Sequence, residues 1–386
     1  MSMLVFMPWC RIDRAYKVGD IDILPLNRHG TINGLDDAAQ CNVNTVMAAY
    51  KTIEGKPVDR ATLISYASKS LIDDLNEDEV ETVHELAAVA CFCGLAKREY
   101  FNSLGPYCNS DCFTLYIQKF TKADFTALTI RRREGRTLSV WPIGDIAITV
   151  PVHCHAIENV SLDEELLKAL VAHRAQTNSD KLVRWQNAIS CFNQANTDND
   201  SIRYQMEWVL LCSAFEHLLG AKPKAEDVSS KLAQTMVPKD SLPASNANRR
   251  SDKWPAKGQS LCYEWMREFY RIRGDFAHGG LNTQQPAMWK PLEHLVLGTI
   301  AFPLLVKSLL SKDSKYILTN KDRAQIDCFE KFADTDNFLN PPPNQQGSLD
   351  SHWRRLLDEC ESTSIREAVI RSLEEMRVQS SVSNEE

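Results

Sequence analysis

A basic surplus is missing from this sequence: 44 Lys and Arg face 51 Asp and Glu over 386 residues, a formal charge of −7. That balance gives no global attraction to nucleic acid or to a membrane surface, so any contact with a polyanion must come from a locally basic patch. Long apolar runs are also missing. The longest, LVLGTIAFPLLV at 295–306, is flanked by Glu293, His294 and Lys307, and a bilayer span takes about 20 residues. The N-terminal MSMLVFMPWC has neither the basic start nor the small-residue cleavage site of a secretory signal, which points to the cytoplasm. The phosphate-binding GxxxxGK[ST] loop, the glycine-rich dinucleotide fingerprint, GxSxG and HExxH are all absent, so the enzyme classes they mark lose support. Cysteine is plentiful, at 12 residues. The cysteines are scattered without the density of a small secreted scaffold, which predicts reduced thiols and no disulfide framework.

What is present divides the chain. The segments LVFMPWCRI (4–12) and DIDILPL (20–26) read as strands, and 77–100 has helical spacing. Strand signals return in CFTLYIQKF (112–120) and in TALTIRRREGRTLSV (126–140), where Glu134-Gly135 sits between two alternating runs as a hairpin turn would. From about 158 the texture becomes helical, with helices expected near 162–176, 180–194, 201–219, 224–235, 259–278 and 285–311. The fold class predicted is α+β: an N-terminal mixed α/β sensor or recruitment domain (1–157), an all-α bundle (158–312), and a C-terminal helical extension with a polar tail (313–386).

Local chemistry comes in four places. His153 and His155 in PVHCHAI fall on one face of an extended strand, with the thiols of CNSDC (108–112) nearby. No CxxC pairing accompanies them, and no metal is assigned. Arg131, Arg132 and Arg133 in RRREGR form a basic hairpin tip, a candidate RNA contact. The loop 237–258 is long for a helix connection and locally basic, which adds Arg249, Arg250 and Lys253 as candidate RNA-binding residues. Glu207 and Glu216 lie in an otherwise apolar helix. They are costly to bury alone, so pairing with arginines of the helix at 259–278 is expected.

The fourth place is YRIRGDFAHGG at 270–280. Leu261, Trp265, Phe269, Ile272 and Phe276 recur at three- and four-residue steps and define the core stripe of a helix. At 100° per residue His278 lies about 140° round from Arg273. The two cannot meet on one regular helix. They converge only if the helix unwinds at Gly279-Gly280, a natural left-handed stop, or if a second copy supplies the counterpart.

Tyr270, Arg273, His278 and Gly279 in that stretch resemble the RxxxxH motif of HEPN domains, in the flavour of the Apea-like proteins of bacterial antiphage defence. RYQMEWVLLCSAFEHLLGA (203–221) resembles the buried helix that precedes the motif helix in that family, and the likeness covers roughly 160–312. The resemblance implies a helical bundle that dimerises so that two motifs face one cleft, which cuts RNA without metal or other cofactor and leaves a 2′,3′-cyclic phosphate. His278 would be the general acid/base and Arg273 would stabilise the phosphate charge. One position departs: Gly274 stands where active members commonly carry a polar residue, and Asp275 is the candidate compensating group that orients His278. Toxicity of this kind implies an inhibitory or activating partner protein. The rival reading is a catalytically silent HEPN dimer that binds nucleic acid, nucleotide or protein.

Overall fold

Alternation of apolar and polar residues builds the first sheet. In Ile21–Asn27 the side chains of Ile21 and Ile23 are buried and that of Asp22 between them is not, as expected of a strand with one covered face, and the alternation shifts by one residue past the exposed Pro25, where Leu26 is buried. The computed structural model describes residues 2–32, 35–70, 73–98, 107–120, 128–131, 137–140, 145–157, 159–236, 243–249, 259–277, 287–336, 339 and 362. Within these the fold is α+β with a C-terminal helical region, and the chain divides into two units between Arg203 and Tyr204.

The first unit is built on β1 (Ser2–Met7), β2 (Tyr16–Val18), β3 (Ile21–Asn27), α1 (Asp37–Ala48), β4 (Tyr50–Lys51), β5 (Arg60–Tyr66), α2 (Glu77–Ala96) and β6 (Tyr116–Phe120). Five of the strands form an antiparallel sheet in the order β2-β3-β5-β1-β6. Rings of Phe6, Trp9, Tyr50 and Tyr116 pack together with centroids 5.0–6.3 Å apart. The hairpin expected at 126–140 is present as β7 (Leu128–Arg131) paired antiparallel with β8 (Thr137–Val140). Its tip lies outside the described residues. β9 (Ile148–Thr149) then pairs with β4 in parallel.

Two sequence expectations are corrected here. The helical texture after 158 does not mark a domain start, because α3 (Glu164–Gln176) and α4 (Ser179–Gln194) belong to the first unit. They close over α2: Phe92 meets Phe192 edge-on at 5.3 Å, Arg174 pairs with Glu85, and Asn193 Nδ2 donates to the Ala88 carbonyl at 2.8 Å. Nor are all described cysteines reduced. Ten carry free thiols, but Cys328 is disulfide-bonded.

The second unit contains α5 (Tyr204–Leu219), α6 (Ala225–Met236), α7 (Leu261–Ala277), α8 (Pro291–Lys312) and α9 (Asn320–Asp334). α5 buries Trp208, Leu211, Cys212, Phe215 and Leu218 along one stripe and stops at Gly220, whose φ of +53° suits only glycine readily. α7 and α8 each pack against α5, α6 and α9. Among the described residues α8 alone is long and apolar enough to cross a membrane, and most of it is buried in this unit. Its apolar run is lengthened by paired charges. Glu293 takes Arg249, His294 takes Glu268 at 3.0 Å, and Lys307 takes Asp322 at 2.7 Å, so the three polar residues that bound 295–306 are buried too. Gly298 permits a close approach of α8 to α5: a Cβ there would lie 2.6 Å from Leu211 Cδ2.

Candidate functional site

The stripe of α7 explains where its functional residues stand. Leu261, Trp265 and Phe269 are buried, whereas Ile272 and Phe276 are half-buried, so the helix leaves the core over its last two turns. Trp208 of α5 holds the point of departure. Its indole Nε1–H donates to the Phe269 carbonyl at 2.8 Å, and its ring meets Phe276 edge-on at 5.4 Å. Arg273 is set just beyond this anchor, on the part-exposed turn.

Three side chains meet there. The Tyr270 hydroxyl donates to Glu216 Oε2 at 2.5 Å, and the Arg273 guanidinium lies over the Tyr270 ring, 5.3 Å from its centroid. Arg273 Nη2 is 3.9 Å from the same Glu216 oxygen and Nη1 is 3.5 Å from the Tyr270 hydroxyl. Burial, then the adjacent Glu216 carboxylate, push the Tyr270 hydroxyl well above its ordinary range, so it stays a neutral donor. The expected pairing of Glu216 with an arginine of this helix is therefore present. It is a loose pair: 3.9 Å is a Coulombic contact rather than a hydrogen bond, and Nε has no partner among the described residues. Both side chains keep about a quarter of their surface, 27% for Arg273 and 23% for Glu216. Nε is shut off from solvent, so the donors such an oriented guanidinium can offer an anion are the loosely engaged Nη1 and Nη2.

Asp275 is exposed on the next turn. Gly274 adds no bulk, and a Cβ built on it meets nothing within 4 Å. His278, with Gly279 and Gly280, lies outside the described residues, as do Arg132, Arg133, Arg250 and Lys253. The side chain of Arg131 does too.

Arg249 is the correction in this set. Its side chain is only 4% exposed, and both Nη atoms of its guanidinium are engaged from inside the fold, while Nε is buried without a partner among the described residues. Nη1 and Nη2 donate to the two oxygens of Glu293 at 3.1 and 2.9 Å, and to the carbonyls of Met288 and Thr335 at 2.6 Å each. The Trp289 ring covers it at 5.7 Å. An arginine so enclosed is a structural tie, and its one unpartnered nitrogen among the described contacts, Nε, is shut off from solvent and so from a phosphate. Its contrast with Arg273 is one of degree of engagement, not of residue type.

The strand drawn through His153 and His155 is also corrected. Residues Val152–Cys154 form a 3₁₀ turn, in which His153 Nε2 meets Asp111 Oδ2 at 2.6 Å and His155 Nδ1 meets the Val152 carbonyl. The two imidazoles are thereby engaged separately, and no group of three or more metal-ligating side chains is assembled among the described residues.

Sequence reading missed the centre of the second unit. His294 is fully buried among the rings of Trp208, Trp265, Phe269 and Trp289, with Nε2 on Glu268 and Nδ1 without a partner among the described residues. Burial holds its pKa below the usual histidine value against the opposing pull of Glu268. The Glu268 carboxylate also accepts the backbone N–H groups of Met288 and Trp289. The only sequence signal was a polar residue beside an apolar run. No family model, curated protein or solved structure matches the chain.

Proposed function

We propose that the chain is a metal-independent endoribonuclease of the HEPN type, working as a cytoplasmic homodimer through its second unit. The observation that carries this reading is Arg273: an oriented, half-satisfied guanidinium on the turn where α7 leaves the core, five residues ahead of His278. RNA supplies its own nucleophile. The 2′-OH attacks phosphorus as His278 moves the proton, the 5′-oxygen leaves with a proton from the histidine of the second copy, and a 2′,3′-cyclic phosphate and a 5′-OH result. Arg273 offers N–H donors to the oxygens that gain charge in the pentacoordinate transition state. Asp275 serves as the orienting carboxylate of His278. The setting, by family analogy, is antiphage abortive infection, with a partner protein or the first unit as the restraint.

A second reading has one specific support. Glu216 stands 3.9 Å from Arg273 and offsets part of its charge, which suits a silent module that dimerises and binds nucleic acid, nucleotide or protein. Growth on inducible expression separates the two. The nuclease reading expects wild type to arrest growth and Arg273→Ala and His278→Ala to relieve the arrest; equal growth of all three would favour the silent module.

A further inference from the structure

The first unit holds a cavity of about 580 Å³ that the ribonuclease reading does not use. A volume of this order takes a small molecule. One wall is a polar face of α1, where Asp37, Gln40, Cys41, Asn44, Thr45 and Ala48 follow helical spacing, while Val43, Val46 and Met47 are turned into the core. The other wall brings Arg28 from the end of β3, Thr31 and Lys51 of β4.

Charge and hydrogen bonding in this cavity point the same way. Two cations line it against a single carboxylate, Asp37, in a protein whose overall charge is −7. Neither Arg28 nor Lys51 has an ion-pair partner among the described residues. Gln40 is committed to the wall itself: its Nε2 donates to the Gly30 carbonyl at 2.7 Å and its Oε1 accepts from Ile32 N–H at 3.2 Å, which fixes the loop bearing Thr31. Asn44 is different. Its Oδ1 is shut off from solvent and has no hydrogen-bond partner among the described residues, so a ligand in the cavity does not reach it as the side chain stands.

We propose that this cavity binds a small phosphorylated molecule, with Arg28 and Lys51 holding the phosphate. Arg28 and Lys51 outweigh Asp37 in the lining by one positive charge, and the several oxygens of a phosphate can accept from both cations at once.

Cys41 makes the site testable in the full-length protein. Among the described free cysteines it is the exposed one, and it lines the cavity. The probes are ADP and inorganic pyrophosphate, with citrate as the carboxylate control, read by calorimetry and by the rate of Cys41 alkylation followed on its peptide. The expected result is binding of both phosphates, with alkylation of Cys41 slowed by each. Arg28→Ala and Lys51→Ala each weaken ADP by roughly 10- to 100-fold, the scale of a charged hydrogen bond. Arg28→Gln and Lys51→Gln keep side-chain length and serve if an alanine variant does not fold. Failure of ADP and pyrophosphate to bind, citrate binding as tightly as both, or binding that neither protects Cys41 nor responds to these substitutions would overturn the assignment.

Discussion

Replacing Arg249 with alanine should unfold the second unit early rather than weaken RNA binding. The guanidinium makes four donor contacts between 2.6 and 3.1 Å, two of them to a Glu293 side chain that is 1% exposed. Without it, Glu293 keeps the Lys290 N–H at 2.8 Å, and the carbonyls of Met288 and Thr335 lose their donor. Breaking a buried ion pair from one side costs about 3–5 kcal/mol, because the surviving charge is left uncompensated. At about 2–4 °C per kcal/mol for a unit of this size, Tm falls by about 6–20 °C. Thermal unfolding followed by circular dichroism measures the shift. Replacing both partners, as Arg249→Met with Glu293→Met, should recover most of the loss, since an apolar pair of similar volume leaves no stranded charge. A Tm shift under about 2 °C for Arg249→Ala, a value too small for a stranded charge, would refute the argument. So would weaker RNA binding at unchanged stability.

Other expectations concern packing, the motif helix and pH. Gly298→Ala drives a methyl group to 2.6 Å from Leu211 Cδ2 and should cost about 1–3 kcal/mol in denaturant unfolding, with Leu211→Ala in the same chain making the added methyl tolerable. Gly274→Ala, in open space within α7, should stabilise by about 0.5–1 kcal/mol. Gly274→Asn should raise RNA cleavage if the missing polar group weakens the site, and a fall in cleavage with an intact fold would count against that role. His294 is held neutral in the folded state, below the ordinary histidine range, by burial. The unfolded chain therefore binds the extra proton first as pH drops, and stability is lost as pH falls below about 6.5, with a slope approaching about 1.4 kcal/mol per pH unit. His294→Gln should flatten that slope between pH 7.5 and 5.5, and an unchanged slope would remove His294 as its source.

Periodicity made much of this fold legible. The stripe of Leu261, Trp265 and Phe269 foretold the buried face of α7, the alternation either side of 132–136 foretold β7 and β8, and two acids in an apolar helix foretold a partner for Glu216. β5 escaped notice for a physical reason. It lies inside the sheet between β3 and β1, with Ala61 to Leu63 and Ile64 buried in succession, so no alternation advertises it. The unit boundary was hidden as well. α3 and α4 have the same texture as the helices after Tyr204, and only their contacts with α2, such as Phe92 on Phe192, assign them to the first unit. Exposure was the least readable property of all. Arg249 sits in a basic loop that reads as a surface patch, yet its counter-charge, Glu293, is 44 residues away.

The central claim is that Arg273 and His278 together cleave RNA. Its most direct test is incubation of a defined RNA with the purified full-length protein in EDTA, with end-group analysis of the products and comparison with Arg273→Ala and His278→Ala. The account predicts 2′,3′-cyclic phosphate and 5′-OH ends that form without metal and disappear in both variants. Intact RNA with wild type, or the same cleavage by all three proteins, would contradict it.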